Sequence, residues 1–135
     1  MKVVIIGGVA GGASTAARLR RLNENVSIVV LEKSGYVSFA NCGLPYHISG
    51  VISERERLLL ESVESLSSKF NIDIRVKTEV ISIERSVKKI TVQNLDTGEI
   101  YEESYDKLVI STGAESFIPG IKGLTENKIH EVNPK

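Results

Sequence analysis

The chain has 135 residues, enough for about one domain with a core of its own. Its 17 basic and 17 acidic residues cancel and no basic run stands out, which argues against non-specific nucleic-acid binding. The single cysteine, Cys42, rules out an internal disulfide framework and fits a reducing compartment. The apolar run from Val3 to Ile6 is far too short to span a membrane and lacks the charged start and long apolar stretch of a secretory signal. The expectation is a cytoplasmic, soluble protein without nucleic-acid or membrane partners.

Lys2-Val3-Val4-Ile5-Ile6 is a β-branched run and predicts a strand buried on both faces. Gly7-Gly8-Val9-Ala10-Gly11-Gly12 follows at once, and Ala13 to Leu22 predicts a helix. A strand, a glycine turn and a helix in that order make a phosphate cradle, because bare backbone amides at a helix N-terminus face the anion. The next strand, Val26 to Leu31, ends at Glu32, about twenty residues beyond Gly12. A carboxylate there can accept hydrogen bonds from the ribose of an adenine nucleotide. The middle glycine of the G-x-G-x-x-G pattern is replaced by Val9.

At about 100° per residue, Ser14, Arg18 and Arg21 share a narrow sector of the helix surface. Two guanidiniums and a hydroxyl there either hold a phosphate-bearing ligand distinct from the dinucleotide or form a solvated charged face. Arg20 sits near the alanine side and breaks the pattern.

Ser34-Gly35 predicts a turn, and Ser38-Phe39-Ala40-Asn41-Cys42-Gly43-Leu44-Pro45-Tyr46 carries the only thiol. Sulfur chemistry at Cys42 therefore needs an external sulfur, an oxygen species or another protein. Asn41 reads as an N-cap that places Cys42 in the first turn of a short helix, where backbone amides favour a thiolate. The competing reading is a buried structural cysteine, since free cysteines are often fully buried. His47 reads as an ordinary helix-surface histidine.

Glu54-Arg55-Glu56-Arg57 predicts a solvated turn leading into Leu58-Leu59-Leu60, and Ser62 to Phe70 a helix with Val63, Leu66 and Phe70 at helical spacing. Ile72 to Val76 alternates and predicts a strand. Val80 to Glu84, Lys88 to Asn94 and Glu99 to Ser104 follow as further strands, with Asp96-Thr97-Gly98 as a hairpin turn between the last two. Leu108 to Ser111 predicts another buried strand, closing on Thr112-Gly113-Ala114, where small residues let the backbone approach a ligand. Pro119-Gly120-Ile121-Lys122-Gly123 comes next, and residues 124–135 read as a polar tail.

The glycine turn, the Ser38–Tyr46 nonapeptide and the apolar strand ending in Thr112-Gly113 together resemble the coenzyme A-disulfide reductases. These form a single-cysteine branch of the FAD-dependent pyridine nucleotide-disulfide oxidoreductases. The resemblance implies an α/β fold: a Rossmann-like FAD-binding domain portion over residues 1–123. Its parallel sheet would carry helices on both faces and a small antiparallel β-meander at about residues 79–104. It implies FAD contacts at Gly7, Gly8, Ala10, Gly11, Gly12, Glu32, Lys33, Val80, Thr112 and Gly113. Cys42 becomes the redox thiol, with Ser14, Arg18, Arg21, Ser38 and Asn41 as coenzyme A contacts and no metal site.

Two-cysteine members of the superfamily carry a second thiol at the position of His47, so a dithiol mechanism is not expected here. The implied activity is NAD(P)H-dependent reduction of coenzyme A disulfide, or of a coenzyme A persulfide or polysulfide, in a homodimeric complete enzyme. The chain is expected to be the N-terminal portion of such an enzyme, without the NAD(P)H-binding and dimerisation domains. Two other readings stay open: an NADH oxidase or peroxidase cycling Cys42 through sulfenic acid, and a non-catalytic nucleotide-binding module.

Overall fold

The β-branched run at the N-terminus forms strand β1, Lys2–Ile6, in a computed structural model that describes residues 1–115 and 117. Strand β2, Ser27–Leu31, runs parallel to β1 with Val3 beside Ile28 and Ile5 beside Val30. Asp73–Arg75 forms β3 and pairs with β2, while Lys107–Ile110, here β7, pairs with the other edge of β1. The result is a parallel sheet in the order β3-β2-β1-β7. Helix α1 spans Ala10–Leu22, α2 Leu44–Ile48 and α3 Val63–Phe70.

Side chains alternate across a strand, so β1 and β2 feed two separate cores. Val3, Ile5, Ile28 and Val30 pack on one face with Ala16 and Leu19 of α1, Phe70 of α3 and Ile72. Val4, Val29 and Leu31 pack on the other face. The sequence reading expected helices on both faces and a small antiparallel meander at about residues 79–104. Among the described residues that meander, formed by β4 (Thr78–Glu84), β5 (Lys89–Asn94) and β6 (Ile100–Ser104), fills the second face, and the helices that pack on the sheet do so on the first. Ile90 and Val92 of β5 close onto Val4, Val29 and Leu31 there, with Val80 and Tyr101 alongside. The predicted hairpin turn joins β5 to β6: Gly98 takes φ +74° and the Asn94 side chain accepts from the N–H of Asp96 and of Thr97.

Arg20, the residue that broke the pattern on α1, is structural. Its guanidinium donates to the carbonyls of Phe70, Asn71 and Glu24, tying the C-terminal ends of α1 and α3 together. Ser62 caps α3 by accepting from the Ser65 N–H at 3.1 Å, and Asn71 ends it in the left-handed region. No helix among the described residues is long and apolar enough to cross a membrane. Pro119 to Gly123 and the tail at 124–135 lie outside the described residues.

The parallel sheet and the meander are also joined by charge. Glu103 of β6, buried, accepts from Lys2 of β1 and from Arg75 of β3, the latter at 2.6 Å. Arg75 also pairs with Asp73 at 2.6 Å and lies over the Tyr101 ring. Burial pushes the Glu103 carboxyl up, but hydrogen bonds from Lys2 and Arg75 outweigh it and hold the group below the ordinary glutamate value. A carboxyl lowered by folding adds stability above its unfolded value and loses that contribution as pH falls through the folded one. Glu103→Gln is therefore expected to cost about 1–3 kcal/mol near neutrality. Its stability should fall less steeply than the parent's below the unfolded glutamate value of about 4.3. Urea unfolding of both proteins across that range checks this, and parallel pH profiles would contradict it.

Candidate functional site

Two glycines of the turn have no room for a side chain. Gly7 adopts φ +95°, and a Cβ on it would strike the carbonyl of Ser111 just beyond β7. A Cβ on Gly12 would fall on the carbonyl of Gly7. Val9 precedes α1 with φ −87°, in the half of φ space open to L-residues, so a side chain replaces the middle glycine without left-handed strain. The helix begins at Ala10, earlier than the predicted Ala13, because Gly11 and Gly12 belong to its first turn. No side chain caps this terminus and no acidic residue lies in that turn. Ala13 makes the first helical bond, to the Val9 carbonyl at 3.1 Å. The preceding amides of the helix have no intrahelical acceptor and are available to an anion.

Beside this terminus lies an open cleft of about 800 Å³. Gly7, Ala10 and Gly11 line it from the turn, Glu32 and Lys33 from the end of β2, and Val80 from the meander. Thr112 and Gly113 line it from beyond β7. Gly8 and Gly12 lie buried outside the lining, so their place is in the packing of the turn. The Glu32 carboxylate is engaged within the chain: Oε2 accepts from the Gly8 N–H at 2.6 Å and Oε1 from the Ser34 N–H at 2.8 Å.

Thr78, Glu79 and Ser111 also line the cleft, and the sequence reading missed them. Glu79 pairs with Lys33 at 2.8 Å, and its hydrogen bond raises the Lys33 ammonium above the usual lysine value. No local pattern marks that pair, because it exists only where the start of β4 meets the end of β2.

The cysteine segment is held against the glycine turn by backbone bonds. The Ser38 N–H donates to the Gly8 carbonyl at 3.2 Å, and the Ala40 N–H donates to the Leu58 carbonyl at 2.8 Å. Ser38 itself sits at φ +53°. Asn41 lines the cleft, and its neighbour Cys42 is exposed, which removes the buried-thiol reading. The expected cap does not form. Asn41–Gly43 is a single 3-10 turn preceded by Ala40, with no side-chain cap bond, and α2 starts only at Leu44. The helix-dipole argument for Cys42 loses its basis there. His47, expected on the surface, is half-buried, with Nδ1 2.7 Å from the Ile52 carbonyl, closing the loop after α2.

Ser14, Arg18 and Arg21 are exposed along α1, outside the cleft lining, and Arg21 lies over the Phe70 ring at 5.7 Å. Ser38 is likewise outside the lining. The described residues contain no His, Cys, Asp and Glu cluster able to hold a metal ion.

The profile of the family described as pyridine nucleotide-disulphide oxidoreductase matches residues 1–134. The chain belongs to that family. It is 42% identical over 115 residues to a coenzyme A disulfide reductase of Staphylococcus epidermidis, covering 85% of this chain and 26% of that protein. The crystal structure of reduced Bacillus anthracis CoADR-RHD superposes with a TM-score of 0.88 at 54% identity, covering 93% of this chain and 22% of that one. An NAD-dependent persulfide reductase from A. fulgidus superposes with a TM-score of 0.85 at 38% identity, over 90% of this chain and 22% of that one. The chain thus spans about a quarter of the length of the curated relatives it matches.

Two positive-φ glycines, one in the turn and one after α2, make a measurable distinction. Gly50 has φ +81° but open space where a Cβ would go, whereas Gly7 has both a positive φ and the Ser111 carbonyl in the way. Gly50→Ala is expected to cost about 1–2 kcal/mol, the left-handed strain alone. Gly7→Ala should cost clearly more, through the added clash. Equal losses in denaturant unfolding would show that the close approach is not as described.

Proposed function

We propose that the chain forms the FAD-binding portion of a flavin-dependent, NAD(P)H-using coenzyme A-disulfide reductase with Cys42 as its single redox thiol. The reading extends to reduction of a coenzyme A persulfide or polysulfide, given the likeness to a persulfide reductase. The observation that carries it is the meeting of two features. The cleft beneath the bare amides of α1 and beside Glu32 reaches Asn41, and the next residue carries the only thiol of the chain, exposed.

The residues present fit FAD. The amides at the start of α1 suit a diphosphate, the missing Cβ atoms at Gly7 and Gly12 let the turn close tightly, and Glu32 and Lys33 offer polar groups to the adenosine end. Val80 gives the adenine an apolar neighbour, and Thr112 and Gly113 border the same cleft. FAD, when bound, carries the electron pair that NAD(P)H delivers for regenerating the thiol.

The chemistry of the chain itself is thiol–disulfide exchange. The Cys42 thiolate attacks one sulfur of coenzyme A disulfide, the S–S bond breaks, one coenzyme A thiolate leaves and the other stays in a mixed disulfide. Ser14, Arg18, Arg21, Ser38 and Asn41 are proposed contacts for the coenzyme A, the guanidiniums acting on its phosphates.

Intact-mass measurement after incubation with coenzyme A disulfide tests this. A one-to-one adduct is expected on the parent chain and none on Cys42→Ser. Arg21→Ala should slow adduct formation more at low salt than at high salt, because exposed charges are screened. A folded parent chain that forms no adduct would overturn the reading. A sulfenic acid formed with peroxide in place of the adduct would move it to the oxidase or peroxidase branch.

A further inference from the structure

We propose that Glu32 is a positioning residue that sets the glycine turn before any nucleotide arrives, beyond any contact with a ribose. Its relevance to binding rests on the nucleotide reading above.

Glu32 is 7% exposed and engages four backbone groups. Its carboxylate accepts from Gly8 at 2.6 Å and from Ser34 at 2.8 Å. Its own N–H donates to the Arg75 carbonyl, and its carbonyl accepts from the Thr78 N–H, both at 2.9 Å. Through one residue the glycine turn, the loop after β2 and the start of β4 are locked together, and all three border the cleft. Strand pairing cannot do this, because its last bond to the turn is from the Gly7 N–H to the Leu31 carbonyl. Gly8 is buried, so without Glu32 its amide would be left unpaired at a desolvation cost.

The clamp also reaches the thiol segment, since the Gly8 carbonyl accepts from the Ser38 N–H. The glycine at position 8 fits this role. A Cβ there would press on Glu32 Cβ at 3.2 Å and on a Val37 methyl at 3.0 Å.

A carboxylate offers about four lone-pair sites, so two amides leave acceptor capacity for a ribose hydroxyl. A carboxamide of the same shape cannot accept at both ends, because one end is a donor facing an N–H. Glu32→Gln is therefore a selective probe. Amide hydrogen exchange of the nucleotide-free 135-residue chain is measured first. Gly8 or Ser34 should exchange roughly tenfold faster or more in the variant, with the amides of β5 unchanged. Glu32→Asp, charged but shorter, should loosen the same amides and serves if Glu32→Gln does not fold.

Inorganic pyrophosphate, which has no ribose, is the second probe. The proposal expects its affinity to fall in Glu32→Gln along with that of ADP. Unchanged exchange at Gly8 and Ser34, or loss of ADP affinity with pyrophosphate affinity intact, would confine Glu32 to the ribose and overturn the proposal. If the parent binds neither probe, the nucleotide reading fails, while faster exchange in the variant still upholds the clamp.

Discussion

Backbone meets backbone at Gly7, and the geometry of the site depends on that contact. The end of β1, the first turn of α1 and the segment after β7 converge where Gly7 faces Ser111 and Gly12 faces Gly7. A single Cβ at either glycine would push one of these elements away. Their closeness aims the open amides of α1 into the space between β2, the meander and Thr112. Packing of Val3, Ile5, Ala16 and Val30 then holds the helix to the sheet from below.

The same turn reaches the chemistry. Gly8 is bonded on one side by Glu32 and on the other by Ser38, the first residue of the cysteine nonapeptide. A short covalent path then leads to Asn41, which lines the cleft, and to its exposed neighbour Cys42. The glycine turn and the thiol segment are thereby parts of one hydrogen-bonded frame. Ser14, Arg18 and Arg21 lie exposed on α1 outside that frame, while the Arg20 guanidinium is engaged by backbone carbonyls.

Much of this was legible along the chain because it is local. The β-branched runs, the glycine turn, the helix ending at Phe70 and the Asp96-Thr97-Gly98 hairpin each announce themselves within a few residues. What escaped was long-range. Both faces of β1 and β2 are apolar, so nothing in their sequence says that one face receives helices and the other the Ile90 and Val92 side of a meander. The pairing of Lys33 with Glu79 and of Glu103 with Lys2 and Arg75 joins strands far apart in sequence. Asn41 failed for the opposite reason: a local capping rule was applied where the segment is instead held by Leu58 and closed as a 3-10 turn.

The proposed adenine dinucleotide site lies against the start of α1 and the end of β2. Backbone amide shifts of the isotope-labelled chain, followed during titration with ADP, test it most directly because weak binding suffices. Saturable shifts are expected at Gly8, Ala10 and Gly11 and at Glu32 and Lys33. Saturable shifts confined to the outer face of α1 around Ser14, Arg18 and Arg21, or no saturable shifts at all, would contradict it.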